Sequence, residues 1–108
     1  MLLEQTVTVY RADGTRHVIK NCQFLLQKGQ AIDIHGSRLK DRFSLIVRGG
    51  QDLRPGDRIL EGIGPVEFNW QEFIPENVEG LVTIGFVQPF YWAGRVSHTE
   101  AGGYYDRY

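Results

Sequence analysis

Hydrophobic and polar residues alternate through most of this chain. In "EQTVTVYR", Val7 and Val9 fall on one face and Thr6 and Thr8 on the other. A period of two marks a half-buried strand. "ADGT" follows, and Asp13-Gly14 predicts a hairpin because both residues tolerate positive φ. The run "RHVIKNCQFLLQ" continues as a long, bent second strand, with Val18, Cys22, Phe24 and Leu26 on one parity, interrupted by Lys20. Lys28-Gly29 reads as a turn, "QAIDIH" as a strand presenting Ile32 and Ile34, and "GSRLKD" as a polar connection. "RFSLIVR" places Phe43, Leu45 and Val47 on one face. Pro55-Gly56 suits the centre of a type II turn, since proline fixes φ and glycine accepts positive φ. That turn leads into a short strand in "DRILEGI".

Only "EFNWQEFIPENVEGL" has helical character, and Pro75 limits it to a turn or two within residues 69–80. "LVTIGFVQ" is the last clear strand, with Val82, Ile84 and Phe86 on one face; Pro89 ends it or places it at a sheet edge. The pattern therefore predicts an all-β fold. Five to six strands make a small antiparallel β-barrel or sandwich, with at most one short helix. The expected core is Val7, Val9, Val18, Phe24, Leu26, Ile32, Ile34, Phe43, Leu45, Val47, Ile59, Val82, Ile84 and Phe86. Residues 1–92 form the barrel domain, and residues 93–108 an extended C-terminal tail.

Composition narrows the function classes. At 108 residues the chain is expected to be one domain with a small core. The net charge of -1 gives no basic footprint for stable nucleic-acid binding. One cysteine, Cys22, cannot build an internal disulfide or a cysteine-based zinc site, and its parity makes it a small buried hydrophobe. The N-terminus does not read as a signal peptide, and no apolar run has the length of a membrane helix. No membrane partner is expected.

Catalytic chemistry finds little support in the residue pattern. His17, His35 and His98 lack the spacing of a helical metal motif, so no metal or cofactor is expected. "VSHTE" sets Ser97, His98 and Glu100 close in sequence, but a triad is a spatial constellation. "EGIGP" and "RGGQD" do not match a phosphate loop and read as turns. Arg48, Arg54 and Arg58 with Asp52 and Asp57 make a mixed-sign loop, solvated or interfacial. No catalytic residue is assigned and the chain does not read as an enzyme.

Aromatic display remains. The final 22 residues carry Phe90, Tyr91, Trp92, Tyr104, Tyr105 and Tyr108 among Gly94, Gly102 and Gly103. Neighbours on an extended chain face opposite sides, so "PFYW" cannot bury all three rings in one core. Either Trp92 folds back over the open end of the barrel or these rings meet a partner. For the terminal tyrosines, contact with another chain is expected. These six residues are the predicted subunit interface. Such a tail would be mobile alone and ordered by its neighbour, and removing residues 101–108 should leave the domain's melting temperature unchanged.

The layout "MLLEQTVTVY", "LRPGDRILEGIGP" and "VQPFYWAGRVSHTEAG" resembles small structural proteins of the head-morphogenesis cluster of tailed phages and prophages. They are minor capsid or head–tail connector proteins of the stopper, head-completion type. The resemblance covers most of the chain in order and length. It implies a small β-barrel assembled as a homo-oligomeric ring beneath the portal, with portal or adaptor proteins above and tail proteins below. DNA would pass through the lumen without sequence-specific binding. The location implied is the head–tail junction of the virion, after synthesis in the bacterial cytoplasm. The segment between "QAIDIH" and "RFSLIV" is short for a channel-plugging loop, which keeps an adaptor role open beside a stopper. The alternative is a cytosolic β-barrel interaction module, oligonucleotide-binding or SH3-like, which predicts basic residues around the rings. Near "PFYW" only Arg95 is basic in sequence.

Overall fold

Seven antiparallel strands make up a curled half-barrel in a computed structural model that describes residues 3–32 and 39–105. They are β1 (Gln5–Tyr10), β2 (Arg16–Ile32), β3 (Leu39–Arg48), β4 (Arg58–Glu61), β5 (Val82–Thr83), β6 (Phe86–Trp92) and β7 (Arg95–Tyr105). Their order across the sheet is β5-β4-β1-β2-β3-β7-β6. Past β5 the chain approaches β7, where Gly85 N–H donates to Gly102 O at 2.8 Å. Among the described residues there is no helix. The stretch with helical character makes two isolated turns, closed by Phe73 N–H to Asn69 O and Val78 N–H to Ile74 O.

The all-β class holds, and most of the inward positions that alternation marks are buried. Val7, Val9, Phe24, Phe43, Leu45, Val47, Ile59, Val82 and Ile84 are buried together inside the curl, and Leu26 packs against them half-buried. The turns predicted at Asp13-Gly14 and Pro55-Gly56 form. Gly14 has φ 93°, and Gly56 has φ 95° in a turn closed by Asp57 N–H to Arg54 O.

Several expectations are corrected. Val18 is only half-buried, and Ile19 takes its place in the core. The cause is a bulge at Asn21, whose φ of 59° adds a residue between Lys20 and Cys22 and flips the parity. Lys28-Gly29 is not a turn, because β2 runs on to Ile32 with an irregularity between Gln27 and Ala31. Phe86 is 54% exposed. The chain leaves strand geometry at Ile84 and Gly85, which breaks the parity, and Phe86 lies over Gly102 on the outer face. Of the two outcomes expected at Pro89 the second holds, since it lies inside β6, an edge strand. The segment set apart as a tail supplies β7, hydrogen-bonded between β3 and β6, so the strand count rises to seven. Thr99 and Ala101 point inward there and are almost fully buried. Ile34, His35 and Tyr108 lie outside the described residues.

β1 has no wet face. Thr8 and Tyr10 are as buried as Val7 and Val9, because residues 62–81 fold over the outer side of β1 and β4. Tyr10, Phe73 and Leu81 form the buried centre of this lobe, with Phe68 and Trp70 against it. Polar contacts fix it in place. Thr8 Oγ1 donates to Gly62 O and accepts from Gly64 N–H, while Tyr10 Oη donates to Pro65 O at 2.8 Å. Arg16 donates to Gly64 O and Pro65 O. A Cβ at Gly64 would collide with Tyr10 Oη, so glycine is required there. Arg58 stacks 3.6 Å from the Trp70 ring centre and donates to the Trp70 and Phe73 carbonyls.

Candidate functional site

Strand β6 is a sheet edge, paired on one side by β7. Its sequence places Phe86, Gln88 and Phe90 on the outer face and Val87 and Pro89 on the inner one. The hairpin to β7 turns through Ala93 (φ 53°) and Gly94 (φ 80°), with Trp92 opposite Arg95. Positive φ at both central residues is the type I′ geometry that matches strand twist. Ala-Gly is not the usual signal for it, so sequence reading missed this hairpin; Gly94 was the available clue.

The turn carries the rings away from the core. Phe90 is 39% exposed, Tyr91 69% and Trp92 77%. Trp92 therefore does not fold back as a lid. Tyr104 and Tyr105, described here by backbone alone, pair with Arg42 and Asp41 at the other end of β7. Nine residues of strand, roughly 30 Å, separate Arg95 from Tyr104. The predicted interface residues that are described thus fall into two groups at opposite ends of β7.

The outer face beside β6 mixes rings with polar groups. Phe90 stacks on His98 across the hairpin, with centres 4.7 Å apart and planes 7° from parallel. Arg48 stands opposite His98 on β3, and Ile46 opposite Glu100. A second bulge, at Ser97, turns the Ser97 hydroxyl to within 3.1 Å of His98 Nδ1. Glu100 Oε2 lies 3.8 Å from His98 Nε2. The fold thus gathers Ser97, His98 and Glu100 around one imidazole. At 3.8 Å, however, the carboxylate is beyond hydrogen-bond length and does not fix the ring's tautomer. A shallow cleft of about 420 Å³ opens here, lined by Leu3, Ile46, Arg48, Ser97, His98 and Glu100. Among the described residues no group of His, Cys, Asp or Glu is arranged to hold a metal.

The mixed-sign loop is a structural joint. Arg11, which sequence reading did not single out, forks onto Asp57, with Nε–Oδ1 at 3.0 Å and Nη2–Oδ2 at 2.9 Å. It also reaches Asp52, which pairs in turn with Arg54. These hydrogen bonds raise the Arg11 pKa and hold the exposed Asp52 carboxyl below its ordinary range. Cys22 is fully buried, and desolvation pushes its thiol up. No helix of the described residues is long and apolar enough to cross a membrane.

No family model, curated protein or solved structure matches the chain.

Proposed function

We propose that this chain is a structural ring protein of a tailed-phage virion, a head–tail connector of stopper or adaptor type beneath the portal. The observation that carries the reading is the aromatic edge of β6. A folded domain that leaves Tyr91 and Trp92 more than two-thirds exposed on an open edge presents an interface. Rings of roughly 150–250 Å² each, at these exposures, leave on the order of 500 Å² on Phe86, Phe90, Tyr91 and Trp92. That is more than half of the ~800 Å² per partner in a stable protein interface. The resemblance adds the biological setting, since its segments supply β1, the turn into β4 and the β6–β7 hairpin. DNA would pass through the ring without sequence-specific contacts.

The test is particle association. Purified particles from a host carrying the gene should contain the protein at the head–tail vertex. Changing Tyr91 and Trp92 to Ser should remove it from particles while leaving its melting temperature within a few degrees. Particles that lack the wild-type protein, or that keep the variant, contradict the reading. Tight binding of single-stranded oligonucleotide by the isolated chain, lost in Phe90→Ala, would favour the oligonucleotide-binding module instead.

A further inference from the structure

The lobe that covers β1 and β4 carries its acids at the surface. Residues 62–81 hold four glutamates and no lysine, arginine or histidine, and Glu61 of β4 adjoins them; Arg16 and Arg58 pack against the lobe with their guanidinium groups bonded to its carbonyls. Glu61, Glu67, Glu72, Glu76 and Glu79 are all exposed. The outer face of β3 carries exposed Arg42 and Arg48 instead, so the two surfaces differ in charge.

The two sides also differ in shape. The lobe projects Ile63 and Val66, 71% and 74% exposed, beside Glu61 and Glu67. This tip is held rigid, because the backbone of Gly62, Gly64 and Pro65 is bonded to Thr8, Tyr10 and Arg16. Its apolar exposure costs little ordering entropy on binding. On the sheet, no lobe of the described residues lies over the outer face of β3, β7 and β6. That face offers Leu3 and Ile46 in the wall of the 420 Å³ cleft and Phe90 stacked on the His98 that lines it, with exposed Arg42 and Arg48 along β3 and one acid, Glu100, between.

We propose that a second copy of this chain covers that face head to tail: the Ile63–Val66 tip of one subunit seats in the cleft beside Ile46 and Phe90 of the next, and the lobe's glutamates face Arg42 and Arg48. This rests on the ring reading above and names the surfaces that make the ring. Opposite charge selects this pairing. Two lobes meeting would oppose acid to acid, and two sheet faces would oppose Arg48 to Arg48. Direct β6-to-β6 pairing is hindered by Pro89, which has no N–H to give to a ladder. A contact between two different patches is heterologous, and heterologous contacts close into rings when the rotation allows.

Complementary variants test it. A lobe variant, Ile63→Ser with Val66→Ser, and a face variant, Arg48→Glu with Phe90→Ser, change only side chains on the surface. Wild type should form oligomers that weaken as salt rises. Each variant alone should be monomeric by native mass spectrometry, with self-association weakened at least ~100-fold. Mixed together they should give 1:1 dimers and nothing larger, because one intact lobe and one intact face remain. Melting curves check folding, and Val66→Ser alone replaces a variant that melts early. A lobe variant that assembles like wild type, or a mixture without dimers, overturns the inference while leaving the ring reading in place. Wild type that is monomeric at all concentrations overturns both. Head-to-tail oligomers of a protein absent from particles would keep this inference and overturn the connector.

Discussion

Ala93 holds a backbone conformation that a residue with a Cβ adopts at a cost. Its φ of 53° lies in the left-handed region, which costs roughly 1–2 kcal/mol for an L-residue other than glycine or asparagine. Replacing it with Gly should therefore stabilise the protein by up to about 1 kcal/mol, seen as a raised melting temperature. A lowered one would mean the turn is not type I′. Phe43 and Phe86 separate core from surface. Phe43, 2% exposed, should cost about 3–5 kcal/mol when cut to Ala. Phe86→Ala should cost about 1 kcal/mol or less. The parity of Val82, Ile84 and Phe86 had made these two look equivalent. Alternation carries no sign of a strand break such as that at Gly85, nor of a bulge such as that at Asn21, which exchanged Val18 for Ile19. Asp52 gives a pH signature. Arg11 and Arg54 hold its carboxyl below the ordinary 3.8, so its contribution is complete above that value and is lost as pH falls through the lowered one. Asp52→Asn should melt slightly below wild type at neutral pH, and the gap should close as acid protonates the wild-type carboxyl. The gap is small because the pair is exposed. A gap that widens in acid would contradict the assignment.

At the scale of elements, β7 alters the expectation most. Its sequence, "RVSHTEAGGYY", has glycines where a strand is normally filled, so it reads as a tail. The glycines are there because neighbours occupy the space. A Cβ at Gly102 would meet the Phe86 ring and Phe43 O, and one at Gly103 the backbone of Thr83 and Gly85. This close approach of β5, β6 and β7 depends on distant residues and leaves no local pattern. Deleting residues 101–108 removes Ala101 and the strand pairing with Phe43 and Ser44. The truncated chain should lose cooperative melting. If it kept the wild-type melting temperature, β7 would be dispensable after all. The lobe was equally hidden, since its buried anchors Tyr10, Phe73 and Leu81 are scattered across the sequence. By contrast β1, β3 from Arg42 on and the two glycine turns were legible, because their signals are local; Leu39–Asp41, read as part of a polar connection, extend β3, and Asp41 is buried.

For the whole molecule, the half-barrel has one outer side covered by its own acidic lobe and the other left bare, aromatic and basic. The sequence foretold only that the three rings of "PFYW" cannot all share a core, and left a lid and an exposed ring equally open. It did not foretell that His98 and Arg48 would stand beside Phe90, which requires the register of β3, β7 and β6. The claim that unites these features is that the bare face is a subunit interface at the head–tail junction. Electron cryomicroscopy of the particle's head–tail vertex tests it most directly. The account predicts a ring of this chain in which Phe90 and Trp92 are buried against the adjacent protein subunit. A vertex without the chain, or a ring in which β6 and its aromatic face stand free in solvent, would contradict it.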